Sequence, residues 1–229
     1  MKFKLLALSP LILFLAACDQ IGSKQEDTKL ELNTDADRFS YGLGMLVGEQ
    51  VLRQYDEIDY DLLLAGMKAQ HQNSETLLTI EDARAALDQH VQKMFAEQSK
   101  ANRERGEAFL AQNATAEGVQ VTESGLQYNV ITQGDGAKPA ATDQVTVHYR
   151  GTLIDGTEFD SSYSRGQPAT FALNQVIPGW TEGLQLMSVG SKYRFVIPHN
   201  LGYGERGAGG QIGPFETLIF EVELLEIGS

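Results

Sequence analysis

The 229-residue chain contains one cysteine, Cys18, so no disulfide can close within it and no thiol remains beyond that position for nucleophilic chemistry. Its four histidines, His71, His90, His148 and His199, show no metal-ligand spacing, and no metal or cofactor is expected. Basic residues are few: 18 Lys and Arg against 31 Asp and Glu give a formal charge of -13. Phosphate neutralisation needs clustered cations, so nucleic acid is excluded as a partner and the acidic balance reads as a solvated surface. Ser161, Ser162 and Ser164 lack the G-x-S-x-G elbow of a hydrolase. Gly202-Tyr203-Gly204-Glu205-Arg206-Gly207 fits G-x-G-x-x-G, but neither the preceding strand nor the following helix that a dinucleotide site requires is present. The longest apolar run, Leu5 to Leu15, is too short to span a bilayer. Tryptophan occurs once, at Trp180.

What is there begins with that apolar run. It follows Lys2 and Lys4 and precedes Ala16-Ala17, which is the pattern of a secretory signal. Leu15-Ala16-Ala17-Cys18 resembles a bacterial lipobox, in which the cysteine becomes the acylated first residue of the mature protein. The expectation is a chain anchored to a bacterial membrane through lipid on Cys18 and facing the periplasm, because several acyl chains at roughly 0.8 kcal/mol per buried CH2 hold firmly where one is marginal. Asp19-Gln20 resembles the inner-membrane retention signal of enteric lipoproteins, and the choice between outer and inner membrane stays open.

Five segments follow from patterning: a signal peptide over 1–17, a polar tether over 18–34, a helical domain over 35–78, a long linking helix with its exit over 79–118, and a strand-rich domain over 119–229. Phe39, Leu43, Leu46, Val47 and Val51 recur at helical spacing. Gly42, Gly44 and Gly48 each lower helix propensity by about 1 kcal/mol, which implies a face packed closely on another helix. Some forty residues make a poor core alone, so pairing with a second copy of the chain is expected, giving a homodimer. Thr79-Ile80-Glu81-Asp82 has capping-box spacing and opens a helix from about Ile80 to Gln112, roughly 50 Å long at 1.5 Å per residue. Its second half, rich in charge, reads as an exposed stalk.

Beyond Val119 alternation takes over: Leu126, Tyr128 and Val130; Val145, Val147 and Tyr149; Tyr193, Phe195 and Ile197; Leu218, Phe220, Val222 and Leu224. One short helix, Trp180 to Met187, is entered through Pro178-Gly179. The fold class expected is α+β: an N-terminal all-helical dimerisation domain, a long linking helix, and a C-terminal antiparallel β-sheet wrapped around one short helix. Trp180 then lies between helix and sheet. Tyr149, Phe159, Trp180, Tyr203 and Phe220, with Val176, Ile177 and Ile212, describe a dry pocket with Asp160 as its polar anchor.

Val147-His148-Tyr149-Arg150-Gly151, Gly156-Thr157-Glu158-Phe159-Asp160-Ser161-Ser162, Val176-Ile177-Pro178-Gly179-Trp180, Gly202-Tyr203-Gly204 and Thr217-Leu218-Ile219-Phe220 resemble the successive signatures of FKBP-type peptidyl-prolyl cis-trans isomerases. The helical N-terminus, including Tyr41-Gly42-Leu43-Gly44, is similar to the macrophage infectivity potentiator subgroup, whose members dimerise there. The resemblance implies proline-containing polypeptides as substrates, macrolides of the rapamycin type as inhibitors, and a role as folding helper or chaperone. It implies Trp180 as pocket floor, with Tyr149, Phe159, Val176, Ile177, Tyr203, Ile212 and Phe220 as walls. It assigns an Ile177 N–H donor to the carbonyl preceding proline, a Tyr203 hydroxyl that holds a peptide carbonyl, and Asp160 as the carboxylate beside the rotating amide. The family commonly carries an aromatic where Ala169 stands and a histidine where Ala208 stands. The alternative function is a non-catalytic peptide-binding or adaptor lipoprotein using the same pocket.

The chemistry implied needs no nucleophile. Rotation about X-Pro faces a barrier near 20 kcal/mol because amide resonance is lost at the twisted state. A planar amide is the more dipolar form, so an apolar pocket disfavours it relative to the twisted one.

Overall fold

In a computed structural model of the chain, residues 30–55 and 57–228 are described. The signal peptide and Cys18 lie outside them. The chain separates into two compact units, one ending at Thr76 and the other starting at Leu77.

The first unit holds α1 (Asp35–Gln50), a 3-10 turn (Leu52–Gln54) and α2 (Tyr60–His71). A reciprocal capping box starts α1: the Thr34 hydroxyl accepts from the Asp37 N–H while the Asp37 carboxylate accepts from the Thr34 N–H. The Asp59 carboxylate caps α2 one way only, accepting from the Asp61 and Leu62 N–H groups. Neither helix has a buried residue, and Phe39 is 71 % exposed. The glycines of α1 face open space, since a Cβ added at Gly42, Gly44 or Gly48 meets nothing within 4 Å. Two helices of this length cannot bury both apolar faces against each other, and here they leave theirs bare.

The second unit starts with α3 (Ile80–Asn113), capped by Thr79, whose hydroxyl accepts from the Asp82 N–H at 3.0 Å. Seven strands follow: β1 (Val119–Val121), β2 (Gln127–Thr132), β3 (Gln144–Thr152), β4 (Glu158–Ser161), β5 (Ala169–Ala172), β6 (Lys192–Ile197) and β7 (Leu218–Gly228). They form one antiparallel sheet in the order β1-β2-β6-β7-β3-β4, with β5 also on β3. The last strand is therefore central. Alternate residues of β7, Leu218, Phe220, Val222 and Leu224, point into the core, as period-two patterning requires.

Helix α4 (Pro178–Leu186) crosses the concave face. It starts at Pro178, two residues before the expected Trp180, because proline's fixed φ suits a first helical position. Its approach to β6 is set by missing side chains: a Cβ at Gly183 would stand 2.7 Å from the Phe195 ring, and one at Gly179 would stand 2.6 Å from Ile197. That contact seats Trp180 and Leu184 in the core cluster.

The expected stalk is corrected. Ser99, Asn102 and Gly106, in the second half of α3, are buried against the loop before β7. Polar groups of that half are partly satisfied by this domain: Arg105 pairs with the buried Glu216, and Asn113 Nδ2 donates to Gln127 Oε1 at 2.7 Å. Polar composition had pointed to water on every side, whereas Asn102, Arg105 and Asn113 make tertiary hydrogen bonds.

Candidate functional site

At the end of the sheet where β3, β4 and α4 meet, a hollow of about 610 Å3 opens to solvent. Its floor is Trp180, and the sequence dictates how. Pro178 starts the helix, Ile177 caps it with its carbonyl accepting from the Trp180 and Thr181 N–H groups, and the indole is thereby carried under the sheet. The Ile177 N–H takes no backbone acceptor among the described residues and is left at the rim.

Three rings meet the indole edge-on: Tyr149 at 5.1 Å and 88°, Phe220 at 5.2 Å and 81°, and Phe171 at 5.5 Å and 85°. Such near-perpendicular pairs set the positive edge of one ring against the negative face of the other and contribute roughly 0.5–1.5 kcal/mol each beyond area burial. Phe159 extends the wall, edge-on to Phe220 at 5.4 Å. The Trp180 Nε1–H is buried without a hydrogen-bond partner among the described residues. A lone donor buried in an apolar floor is costly to leave unmade.

The polar side is a three-member chain. The Tyr149 hydroxyl donates to Asp160 Oδ2 at 2.5 Å, Arg165 Nη1 pairs with Asp160 Oδ1, and Arg165 Nη2 donates to the Tyr149 oxygen at 2.7 Å. Burial alone would push the Asp160 carboxyl up, but the Tyr149 hydroxyl and the Arg165 guanidinium outweigh it and hold it below its ordinary value. Burial and the hydrogen bond to Asp160 push the Tyr149 hydroxyl up to about 12. Around neutrality the pair is thus one anion and one neutral donor. Tyr203, 40 % exposed, also lines the hollow and has its hydroxyl pushed up by burial and by the charge on Asp160.

All nine residues proposed from sequence for the pocket line this one hollow: Tyr149, Phe159, Asp160, Val176, Ile177, Trp180, Tyr203, Ile212 and Phe220. Phe171, Gln175, Ala208, Gly209 and Gln211 join them. Phe171 resolves the missing aromatic at Ala169: residues 169 and 171 share a face of β5, opposite Val147 and Val145 of β3, so the ring arrives from two positions along. Arg165 could not be singled out, because a surface arginine in a turn has no pattern of its own. No group of three or more His, Cys, Asp or Glu able to hold a metal occurs among the described residues.

The hollow is largely apolar, with one half-exposed anion to its side and a backbone donor at its rim. It can hold a small ring and receive carbonyls.

A family model described as FKBP-type peptidyl-prolyl cis-trans isomerase matches residues 136–225, and one described as the domain amino terminal to it matches residues 36–130. A probable FKBP-type isomerase, FkpA, of Neisseria meningitidis is 46 % identical over 200 residues, covering 83 % of this chain and 74 % of its own. The outer membrane protein MIP of Legionella longbeachae is 44 % identical over 203 residues, covering 86 % and 87 %. Among solved structures, FkpA from Escherichia coli matches with a TM-score of 0.68 at 36 % identity, covering 86 % of this chain and 99 % of that one.

Proposed function

The chain belongs to the FKBP-type peptidyl-prolyl cis-trans isomerases, and we propose that it performs that activity in the hollow floored by Trp180, on proline-containing segments of exported polypeptides. The observation that carries this reading is the indole floor enclosed by Tyr149, Phe171 and Phe220, a ring-sized apolar seat beside a rim of unpaired donors.

Catalysis is differential solvation of two amide states. The proline ring rests on Trp180 between Phe159, Val176 and Ile212. The dipolar planar amide loses water on entry and gains little in return, while the twisted amide has less to lose. Each 1.36 kcal/mol of that difference gives tenfold in rate. The Ile177 N–H holds a substrate carbonyl, and Tyr203 holds a second. Asp160, kept ionised by Tyr149 and Arg165, presents negative charge to the carbonyl carbon of the turning bond. Val176 and Ile212 complete the apolar walls.

The bare apolar face of α1 supports a homodimer through the first unit, so that two pockets flank one client and the protein acts as a folding helper. Lipidation at Cys18 and a periplasm-facing position at the membrane are supported by the lipobox-like segment, and by the name of the Legionella relative as an outer membrane protein. No helix among the described residues is long and apolar enough to cross a membrane.

A protease-coupled assay on a proline tetrapeptide, with rapamycin as competitor, tests the reading. Acceleration abolished by rapamycin is expected. Binding without acceleration would favour the adaptor alternative.

A further inference from the structure

Ile212 and Phe220 both wall the hollow, and five of the residues between them, Gly213 to Thr217, meet α3 in order. Gly213 faces Gln98 and Asn102, whose side-chain amides lie 3.0 and 3.1 Å from where its Cβ would be. The Pro214 carbonyl accepts from Asn102 Nδ2 at 2.8 Å. The Phe215 ring lies 4.1 Å from the Arg103 guanidinium carbon. Both oxygens of the buried Glu216 accept from Arg105 Nη2, at 2.9 and 3.1 Å, and the same nitrogen donates to Asn102 Oδ1 at 3.1 Å. Thr217 packs on Gly106, where a Cβ would stand 2.6 Å from its hydroxyl oxygen. Five successive residues thus run along five positions of one helix.

The anchor has consequences because what it holds continues directly into a wall of the hollow. Ala208, Gly209, Gln211 and Ile212 line the prolyl hollow on one side and a second hollow of about 670 Å3 on the other, whose far wall includes Gln98, Asn102 and Arg105 of α3. Ala208 and Ile212 exchange N–H to carbonyl bonds at 2.9 and 3.0 Å and Ile212 packs on the core, but Gly207, Gly209 and Gly210 between and beside them sit at positive φ and contribute no side chain to that packing, so the position of this turn also depends on the segment that follows it. Phe215 is itself held at φ 56, a conformation that persists where neighbours impose it. Its N–H donates to the Gly204 carbonyl at 2.8 Å, which ties the anchored segment to the turn carrying Tyr203.

We propose that the second half of α3 is part of the prolyl site, with Asn102 and Arg105 acting as positioning residues that hold Gly213–Thr217 and so set the Ile212 wall and the Tyr203 rim. The proposal rests on the isomerase reading of the hollow. Neither side chain touches substrate. They act through the segment they hold, so losing them loosens the seat for proline without removing any group that faces the amide.

The test uses the full chain. Arg105→Met keeps length and removes charge, Asn102→Ala removes the donor to Pro214, and Arg105→Lys restores charge. The readouts are KM and kcat on a proline tetrapeptide, and rapamycin affinity from the fluorescence of Trp180, the only tryptophan. Arg105→Met and Asn102→Ala are expected to raise KM and the rapamycin Kd together by about tenfold with kcat within about twofold, and Arg105→Lys to recover most of the loss. Unchanged KM and Kd in both variants would overturn the proposal. So would a fall in kcat alone that tracks a lost folded fraction in circular dichroism. If Arg105→Met does not fold, Asn102→Asp, which removes only the donor, carries the same expectation. An unaltered chain without turnover or rapamycin binding would overturn the isomerase reading instead, before any variant is compared.

Discussion

The Tyr149 hydroxyl donates to Asp160 Oδ2 at 2.5 Å while accepting from Arg165 Nη2 at 2.7 Å. One phenol therefore orients the carboxylate at the edge of the prolyl hollow and is oriented in turn by the guanidinium that neutralises it. Asp160→Ala leaves that phenol and Arg165 without their anion. Turnover of a proline tetrapeptide is expected to fall about tenfold or more, with far-UV circular dichroism unchanged. Equal rates would remove Asp160 from the mechanism.

Tyr203→Phe deletes a hydroxyl without changing the ring. With only a substrate carbonyl to lose, kcat/KM is expected to drop by about three- to tenfold, the value of one ordinary hydrogen bond, with no shift in the denaturant midpoint. A shifted midpoint would mean that the hydroxyl has a structural partner.

The pH profile follows from the same pair. Asp160 is held below its ordinary value, so its contribution to stability is present above about pH 4 and is lost as pH falls through the folded-state value. Tyr149 is raised to about 12, so its contribution is complete below about pH 10 and is lost as pH climbs towards 12. Between these limits neither group changes state. Turnover is expected to be level from about pH 5 to 9 and to decline first on the acid side. A bell centred near neutrality would point to a histidine acting in the reaction.

Trp180→Ala empties the floor. With the indole buried under three edge-on rings, the loss is about 3–5 kcal/mol in urea unfolding, and isomerisation falls to background. A stable variant retaining turnover would show that another surface seats proline.

Leu43→Glu with Leu46→Glu places charge on the bare face of α1. Light scattering of the protein without its lipid is expected to show the mass halved, with tetrapeptide turnover unchanged, since each hollow is built within one chain. Equal mass in variant and parent would remove α1 from the dimer contact.

The residues legible in the sequence were those whose roles are local. Ile177-Pro178-Gly179-Trp180 states a capped helix entry within four positions, and the alternation in β7 states which of its side chains turn inward. What escaped was long-range. Arg165 reaches Asp160 across a turn, and Phe171 replaces a ring that the family pattern places at 169. The ladder from Asn102 to Glu216 joins residues more than 100 positions apart. Charge on α3 implied solvent because no periodicity distinguishes an arginine facing water from one facing a buried glutamate. The helix start moved from Trp180 to Pro178 for a simpler reason: proline at the first turn is a helical residue, not a boundary.

The placement of β7 at the middle of the sheet bears on how this protein comes into being. As synthesis proceeds from the N-terminus, β3 and β6 are made with no common neighbour, and the ring of Phe220 is among the later parts to arrive. Until β7 is released and slots between them, there is no enclosed seat for an imino acid. An isomerase of this build has no seat with which to act on its own chain before that last strand is in place.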